Sequence, residues 1–181
     1  MPKRSVLLLS VPLVALALTG CTSDPKPKAA VDDSVTTIAA LGKKAPWDKL
    51  VEPCEGGQLV VVQDVALADV SADGTPDAVV ARACEGDTEY GPSSVEVFDG
   101  KSASTEPRRL GTLLGDVGTD KPYVSSVEYA DGAVLIKANG VDEKSDAACP
   151  EVVYTYRYTY SGGAFQQAKR EQQPDETCGP D

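Results

Sequence analysis

The chain has 181 residues, of which 17 are basic and 28 acidic, and it contains no histidine. This length suffices for one hydrophobic core, while the net charge of −11 argues against nucleic acid as a partner. The lack of histidine removes the side chain most often used for acid–base catalysis near neutral pH and a frequent zinc ligand.

The first twenty residues predict export. Lys3 and Arg4 form a basic start, and the apolar run "VLLLSVPLVALAL" leads into "LTGC", which ends at Cys21. The run is too short for a stable membrane-spanning helix and is typical of a signal peptide. "LTGC" resembles the lipobox of bacterial lipoproteins, which implies cleavage between Gly20 and Cys21 and a diacylglycerol on the Cys21 sulfur. An ordinary secretory signal followed by a chance cysteine is the alternative.

The lipobox resemblance also implies a location, the outer face of the bacterial cell membrane. Removal of the signal peptide, residues 1–20, takes away Lys3 and Arg4, so 15 basic residues remain against 28 acidic ones and the net charge becomes −13. An anionic membrane surface repels such a chain. The lipid on Cys21, rather than charge, would therefore hold the protein at the membrane.

Residues 21–33 predict a flexible tether. They carry few apolar side chains and two prolines beside lysines, so they cannot bury enough surface to offset the entropy cost of ordering. A single disulfide-bonded β-rich domain is expected to follow, from residue 34 to residue 181.

The start of this domain predicts one short helix and one core anchor. Val35, Ile38 and Leu41 recur at a spacing of three between acidic residues and lysines, and Gly42 is a helix stop signal. Trp47, the only tryptophan, is expected to anchor the core; a ligand platform is the alternative.

From Gln58 onward the pattern changes to short apolar runs separated by Gly, Pro and Asp, which is typical of antiparallel β structure. The predicted strands lie in "QLVVVQDVALADV", "PDAVVARAC", "SSVEVFDG", "RRLGTLLGDV", "YVSSVEYADGAVLIKANG" and "VVYTYRYTYSGGAF". We expect a sandwich or meander that is mainly β, with one short N-terminal helix, and not a closed propeller.

One predicted hairpin has a specific turn. Asp131 and Gly132 suit a two-residue type I′ turn, in which both central residues have positive φ. This turn would place Tyr129 opposite Val134 and would sort apolar from polar side chains on the two faces.

The last predicted hairpin alternates with a period of two. One face carries Val152 and four tyrosines: Tyr154, Tyr156, Tyr158 and Tyr160. We expect this row to face the core; the alternative is a ligand surface on which a glycan or peptide stacks. The partner strand after Gly162 and Gly163 is polar on both faces, which predicts an edge strand.

The cysteines predict two disulfides. With Cys21 lipidated, an even set remains in an exported chain: Cys54, Cys84, Cys149 and Cys178. Folding the last hairpin about its Gly-Gly turn places two of them, Cys149 and Cys178, one diagonal step apart on one face. We therefore favour this pairing among the three connectivities, with Cys54 joined to Cys84 by elimination.

The segment "DVSADGTPDAVV" carries oxygen donors at alternating positions before an apolar run. The donors are the side chains of Asp69, Ser71, Asp73 and Asp77 and the carbonyl of Thr75. Gly74 permits the sharp turn that would wrap these donors around one ion, and Ca²⁺ prefers an anionic shell of many oxygens.

The pattern D-x-S-x-D-G-x-x-D resembles the calcium loop of FG-GAP and VCBS repeats, which joins two strands of a propeller blade. The resemblance implies that the same five residues would be calcium ligands, although Ser71 stands where those families usually have Asp or Asn. The motif occurs once, whereas a propeller needs at least about four blades, so a closed propeller is excluded. A metal-free Asp-rich turn is the alternative.

The sequence favours a non-catalytic function. It contains no Gly-rich phosphate loop and no nucleophile elbow, and its serines have no identifiable base. We therefore expect a cell-envelope lipoprotein whose β domain binds an unknown protein or glycan. The alternatives are a cell-wall glycan hydrolase or its accessory protein, which would use paired carboxylates, and an inhibitor of lysozyme type.

Overall fold

The computed structural model describes residues 35–86, 92–141 and 152–175. They belong to one compact unit that extends from Ser34 to Asp181. The predicted signal peptide and tether, residues 1–20 and 21–33, lie outside the described residues and stay predictions. None of the helices in the described part of the chain has the length and apolar character needed to cross a membrane.

Eight strands are present within the described residues, and the mainly β prediction is confirmed. In chain order they are β1 Val60–Ala68, β2 Asp77–Cys84, β3 Ser94–Phe98, β4 Arg109–Leu113, β5 Tyr123–Ala130, β6 Ala133–Gly140, β7 Val152–Ser161 and β8 Ala164–Pro174. Strands β1 to β4 form the first sheet and β5 to β8 form the second, each with neighbours in chain order. All pairs are antiparallel, and neither sheet closes into a barrel or propeller.

The main core lies between the two sheets. It joins apolar side chains of the first sheet, such as Val79 and Val97, to those of the second, such as Ile136 and Tyr154. All four are at most 1% exposed. Because strands alternate, these residues occupy one face of each sheet and leave the opposite faces to be covered or solvated.

The outer face of the first sheet is covered by an N-terminal layer, defined here as residues 35–51. This layer contains the helix α1 (Ile38–Leu41) and a 3₁₀ turn (Trp47–Lys49). Trp47 is 1% exposed and stacks on Phe98 of β3 with a ring-centroid distance of 6.4 Å. The prediction that Trp47 anchors the core is confirmed.

The predicted helix is shorter than its apolar spacing suggested. Val35 precedes it and is 62% exposed, while Thr37 forms an isolated antiparallel bridge with Ala103. The Ile38 N–H donates to the Ser102 carbonyl at 3.0 Å, so the backbone before the helix is held in extended form by the turn after β3. Gly42, with φ of 71°, ends the helix as expected.

The turn between β5 and β6 has the predicted form. Asp131 and Gly132 have φ of 49° and 70°, and Tyr129 pairs with Val134. The register follows from turn chemistry and alternation alone, which makes this the most local part of the fold.

The last hairpin, β7 and β8, has the predicted edge strand but a different register. Pairing about the Gly-Gly turn is uninterrupted as far as Tyr158, and a bulge then shifts it by one residue. Val152 therefore pairs with Pro174 rather than with Gln173. The expected bridge between Cys149 and Cys178 lies outside the described residues and stays a prediction, to be checked by peptide mapping without reduction.

The disulfide between Cys54 and Cys84 is present, with a Cα–Cα distance of 5.7 Å. It joins the segment before β1 to the last residue of β2, where Cys84 pairs with Val60. The predicted pairing of these two cysteines is confirmed.

Candidate functional site

The loop of residues 69–77 joins β1 to β2 and is organised by Asp69. Its two carboxylate oxygens accept hydrogen bonds from the backbone N–H groups of Asp73 at 2.9 Å and Gly74 at 3.0 Å. Gly74 has φ of 85°, a conformation that L side chains rarely adopt, so glycine is required at this point of the turn. The Asp69 carboxylate thus stabilises the turn of its own loop.

Asp77 ties the loop to the next turn of the chain. Its side chain is fully buried and accepts the N–H of Ser71 at 2.8 Å and the N–H of Gly100 at 2.9 Å. The Gly100 carbonyl in turn accepts the N–H of Ala39 at 3.0 Å. A continuous set of hydrogen bonds therefore links the acidic loop to the N-terminal layer.

Asp73 is paired with a lysine. The Lys101 ammonium lies 3.0 Å from Asp73 Oδ2 and donates to the Asp73 carbonyl at 3.0 Å. The hydrogen bond from Lys101 lowers the pKa of this exposed carboxylate below its usual range. Lys101 therefore supplies a positive charge directly beside the loop.

The described residues fit a calcium ion in part. The backbone is wrapped as a calcium loop needs, and the Ser71 hydroxyl oxygen is buried without a hydrogen-bond partner. Asp69 and Asp77, however, point at separate sets of backbone N–H groups, and Lys101 holds Asp73. Within the described ranges, no three His, Cys, Asp or Glu side chains come together in a group that could hold a metal ion.

The tyrosine row of β7 faces the core, as expected. Tyr154, Tyr156 and Tyr158 are at most 4% exposed, while Tyr160 is half-buried and packs on Phe165 with ring centroids 4.8 Å apart. The alternative, that the row is an open ligand surface, is wrong for the three buried members. Their faces are covered because the first sheet packs on this side of the second.

A buried carboxylate lies at the hydroxyl end of this row. Asp120 accepts the Tyr156 hydroxyl at 2.7 Å and two guanidinium N–H groups of Arg170, at 2.7 and 2.5 Å. Burial raises the pKa of Asp120, but the hydrogen bonds from Arg170 and Tyr156 outweigh it, so its pKa lies below the usual range. The Arg170 guanidinium also covers the Tyr154 ring at 4.7 Å.

Sequence reasoning missed this cluster for a definable reason. An uninterrupted hairpin would place Lys169 opposite Tyr156, whereas the bulge places Arg170 there. Gly140 allows the approach of the chain around Asp120, since a Cβ at this position would lie 2.4 Å from the Asp120 carbonyl oxygen. Neither the bulge nor the close approach at Gly140 can be predicted from the sequence.

A second buried carboxylate, Glu96 of β3, was also missed. It is fully buried and interacts with Arg82 at 3.2 Å and Arg109 at 2.8 Å. It also accepts the backbone N–H of Glu52 at 3.0 Å. Alternation in "SSVEVF" indicates only that Glu96 faces away from the main core, and residues far away in the sequence provide its cover.

An open groove of about 710 Å³ lies beside the Cys54–Cys84 disulfide. Its lining residues are Glu55, Gly56, Gly57, Gln58, Leu59, Glu85 and Gly86. Leu59 is 68% exposed there, and the charged side chains among these described lining residues, Glu55 and Glu85, are both carboxylates. The groove is thus acidic, with one large apolar side chain open to solvent.

Comparisons with models of known protein families, with curated proteins and with solved structures find no match to this chain.

Proposed function

We propose that this chain is a bacterial cell-envelope lipoprotein whose β domain is a non-catalytic binding or accessory module. The observation that carries the proposal is the sequence "LTGC" ending at Cys21, directly after a basic start and an apolar run. The Cys54–Cys84 disulfide supports it, because disulfides persist mainly in exported proteins.

Substitution of the lipidated residue tests this proposal. In a bacterial host that processes lipoproteins, Cys21→Ala should release the domain from the membrane fraction, whereas Ser23→Ala should leave it there. Mass spectrometry of the mature wild-type N-terminus should find a diacylglycerol on Cys21. Equal membrane retention of wild type and Cys21→Ala would reject the lipid anchor.

The non-catalytic part of the proposal is supported by the state of the carboxylate beside the tyrosines. Asp120 is engaged by Arg170 and Tyr156 and is only 4% exposed, so it is not placed to transfer a proton to a substrate. A glycan hydrolase would need an accessible carboxylate pair.

The groove provides the observation that favours the glycan alternative, because Glu55 and Glu85 both line it. Incubation of purified protein with cell-wall glycan should release no reducing ends, and Glu55→Gln and Glu85→Gln should be indistinguishable from wild type. Hydrolysis that either substitution abolishes would establish an enzyme instead. Adding the protein to a lysozyme reaction on the same substrate tests the inhibitor alternative.

Calcium stabilisation of the loop of residues 69–77 is a further part of the proposal. The side chains of Asp69, Ser71, Asp73 and Asp77 and the carbonyl of Thr75 would hold the ion, with the partnerless Ser71 hydroxyl as the supporting observation. Exported domains commonly meet about millimolar Ca²⁺, which would fill an extracellular-grade site of roughly 10⁻⁴ to 10⁻³ M. Ligand at about ten times its dissociation constant adds roughly 1.4 kcal/mol to stability.

Thermal unfolding in EDTA and in excess Ca²⁺ tests this site. Calcium should raise the melting temperature of the wild type, and Asp73→Ala should abolish the increase. Lys101→Met should enlarge it, because the competing ammonium is gone. If neither the wild type nor Lys101→Met melts at a higher temperature in excess Ca²⁺ than in EDTA, the loop is a metal-free turn.

A further inference from the structure

The two sulfurs of the Cys54–Cys84 disulfide have different surroundings. Arg82 Nη1 lies 3.2 Å from Cys84 Sγ and 3.9 Å from Cys54 Sγ. The same guanidinium donates through Nε to the buried Glu96 at 3.2 Å, which fixes its position beside the disulfide. A thiolate at Cys84 would therefore meet a positive hydrogen-bond donor without any rearrangement.

The opposite holds for Cys54. Its Sγ lies 3.6 Å from the carbonyl oxygen of Leu59, whose partial negative charge disfavours a thiolate and favours a protonated thiol. The residues that follow Cys54 are exposed and line the groove, so an attacking group can approach from this side. The disulfide thus has one sulfur suited to attack and one suited to leave.

We propose that Cys54–Cys84 is a thiol–disulfide exchange site, in which an external dithiol attacks Cys54 and Cys84 leaves as a thiolate bound to Arg82. The attacking thiolate forms a mixed disulfide with Cys54, and the electron pair of the broken bond goes to Cys84. The second thiol of the dithiol then displaces Cys54, which takes up a proton. The protein disulfide is reduced by two electrons and the dithiol is oxidised to its own disulfide.

The groove indicates the charge of the exchange partner. Glu55 and Glu85 line it, and none of the lining residues in the described part of the chain is basic, so the partner should be neutral or positively charged around its thiols. The proposal rests on the disulfide and its neighbours alone and does not depend on lipidation of Cys21.

The site of attack is the first test. The oxidised full-length chain is treated with limiting cysteamine, a cationic monothiol, quenched with acid and mapped by mass spectrometry without reduction. Cysteamine should be found on Cys54 about ten times as often as on Cys84, because the better-stabilised thiolate is the better leaving group. Equal labelling, or labelling mainly at Cys84, would overturn the proposal.

The role of Arg82 is the second test. Reduction by dithiothreitol should be about tenfold slower in Arg82→Gln than in the wild type, and Arg82→Lys, which keeps the charge, should be less affected. Arg157→Gln, on the outer face of the second sheet, is the matched control and should react like the wild type. Melting curves of the oxidised variants establish that each is folded.

The outcomes are decisive even if one variant fails. A folded Arg82→Gln that is reduced as fast as the wild type would mean that Arg82 serves only Glu96, and the proposal would be wrong. If Arg82→Gln does not fold, the cysteamine map of the wild type decides the matter: excess label on Cys54 supports the proposal, and equal labelling or label mainly on Cys84 overturns it.

Discussion

The two sheets have the same number of strands and the same simple order, yet among the residues that the structure describes only the first sheet is covered on both faces. The N-terminal layer covers the outer face of the first sheet, where Val80 and Phe98 are at most 1% exposed. The corresponding face of the second sheet carries Leu135 and Arg157, which are half-buried, and Lys137, which is exposed.

The difference between the two sheets is also evident in the burial pattern along their strands. Strand β2 reads "DAVVARAC" with its first five residues all buried, whereas β7 alternates between buried and half-buried positions. A strand covered on both faces is apolar on both sides, whereas a strand covered on one face carries polar side chains on the other. The sequence pattern therefore reports the number of covered faces rather than the topology.

The two sheets also differ in where their buried carboxylates lie and in how these carboxylates pair with arginines. Glu96 of the first sheet is fully buried, accepts the N–H of Glu52, which directly follows the N-terminal layer, and is paired with two arginines, Arg82 and Arg109. Asp120, in the 3₁₀ turn before β5, lies at the end of the core and is reached by Arg170 from the edge strand of the second sheet. The first cluster stabilises an interface between layers, and the second ties an edge strand to a loop.

The largest expected effect comes from uncovering the first sheet. Trp47→Ala should lower the free energy of unfolding by about 3 to 5 kcal/mol, because it opens a large cavity between the N-terminal layer and Phe98. Leu135→Ala, on the outer face of the second sheet, is the control and should cost about 1 kcal/mol or less. Denaturant unfolding measures both, and equal costs would contradict the difference between the sheets.

The buried ionic cluster of the first sheet should give the next largest effect. Glu96→Gln should cost about 2 to 4 kcal/mol, since two arginines and a backbone N–H lose a charged acceptor. Glu171→Gln removes one partner of the exposed Lys169 pair and should change stability by less than about 0.5 kcal/mol. A Glu96→Gln cost as small as that of the control would show that the cluster is solvated.

The cluster of the second sheet should depend on pH. Asp120→Asn should cost about 1 to 3 kcal/mol at neutral pH. Because the pKa of Asp120 is lowered in the folded state, its stabilisation is present above the unfolded value of about 3.9 and is lost as pH falls through the folded pKa. Unfolding curves of wild type and variant should therefore converge in acid, and a constant gap down to about pH 2 would contradict this assignment.

The smallest effect concerns Tyr158, whose hydroxyl donates to Gln167 at 3.0 Å. Burial raises the pKa of Tyr158 to about 12. A raised pKa means stabilisation that is complete below the unfolded value of about 10 and is lost as pH rises towards 12. Tyr158→Phe should cost about 0.5 to 1.5 kcal/mol at neutral pH, and the cost should vanish in alkali; a cost that grows with pH would be inconsistent with a buried neutral phenol.

Much of the fold could be predicted because it is determined locally. The turn at Asp131 and Gly132 sets its own register, and the period of two in β7 assigns the tyrosines to one face within ten residues. The acidic loop follows in the same way from Asp69 and Gly74, whose contacts span no more than five residues. Chain neighbours also pair throughout both sheets, so the topology needed no distant information.

The remainder depended on partners far away in the sequence. Glu96 is buried where Arg82, Arg109 and the backbone at Glu52 meet. The helix begins at Ile38 because the turn after β3 holds the residues before it in extended form. The bulge that brings Arg170 to Asp120 shifts a register that turn chemistry alone leaves unshifted. Periodicity and turn residues are encoded within a few positions and could be read from the sequence, whereas the second covered face, the buried charges and the paired arginines exist only where separate segments meet.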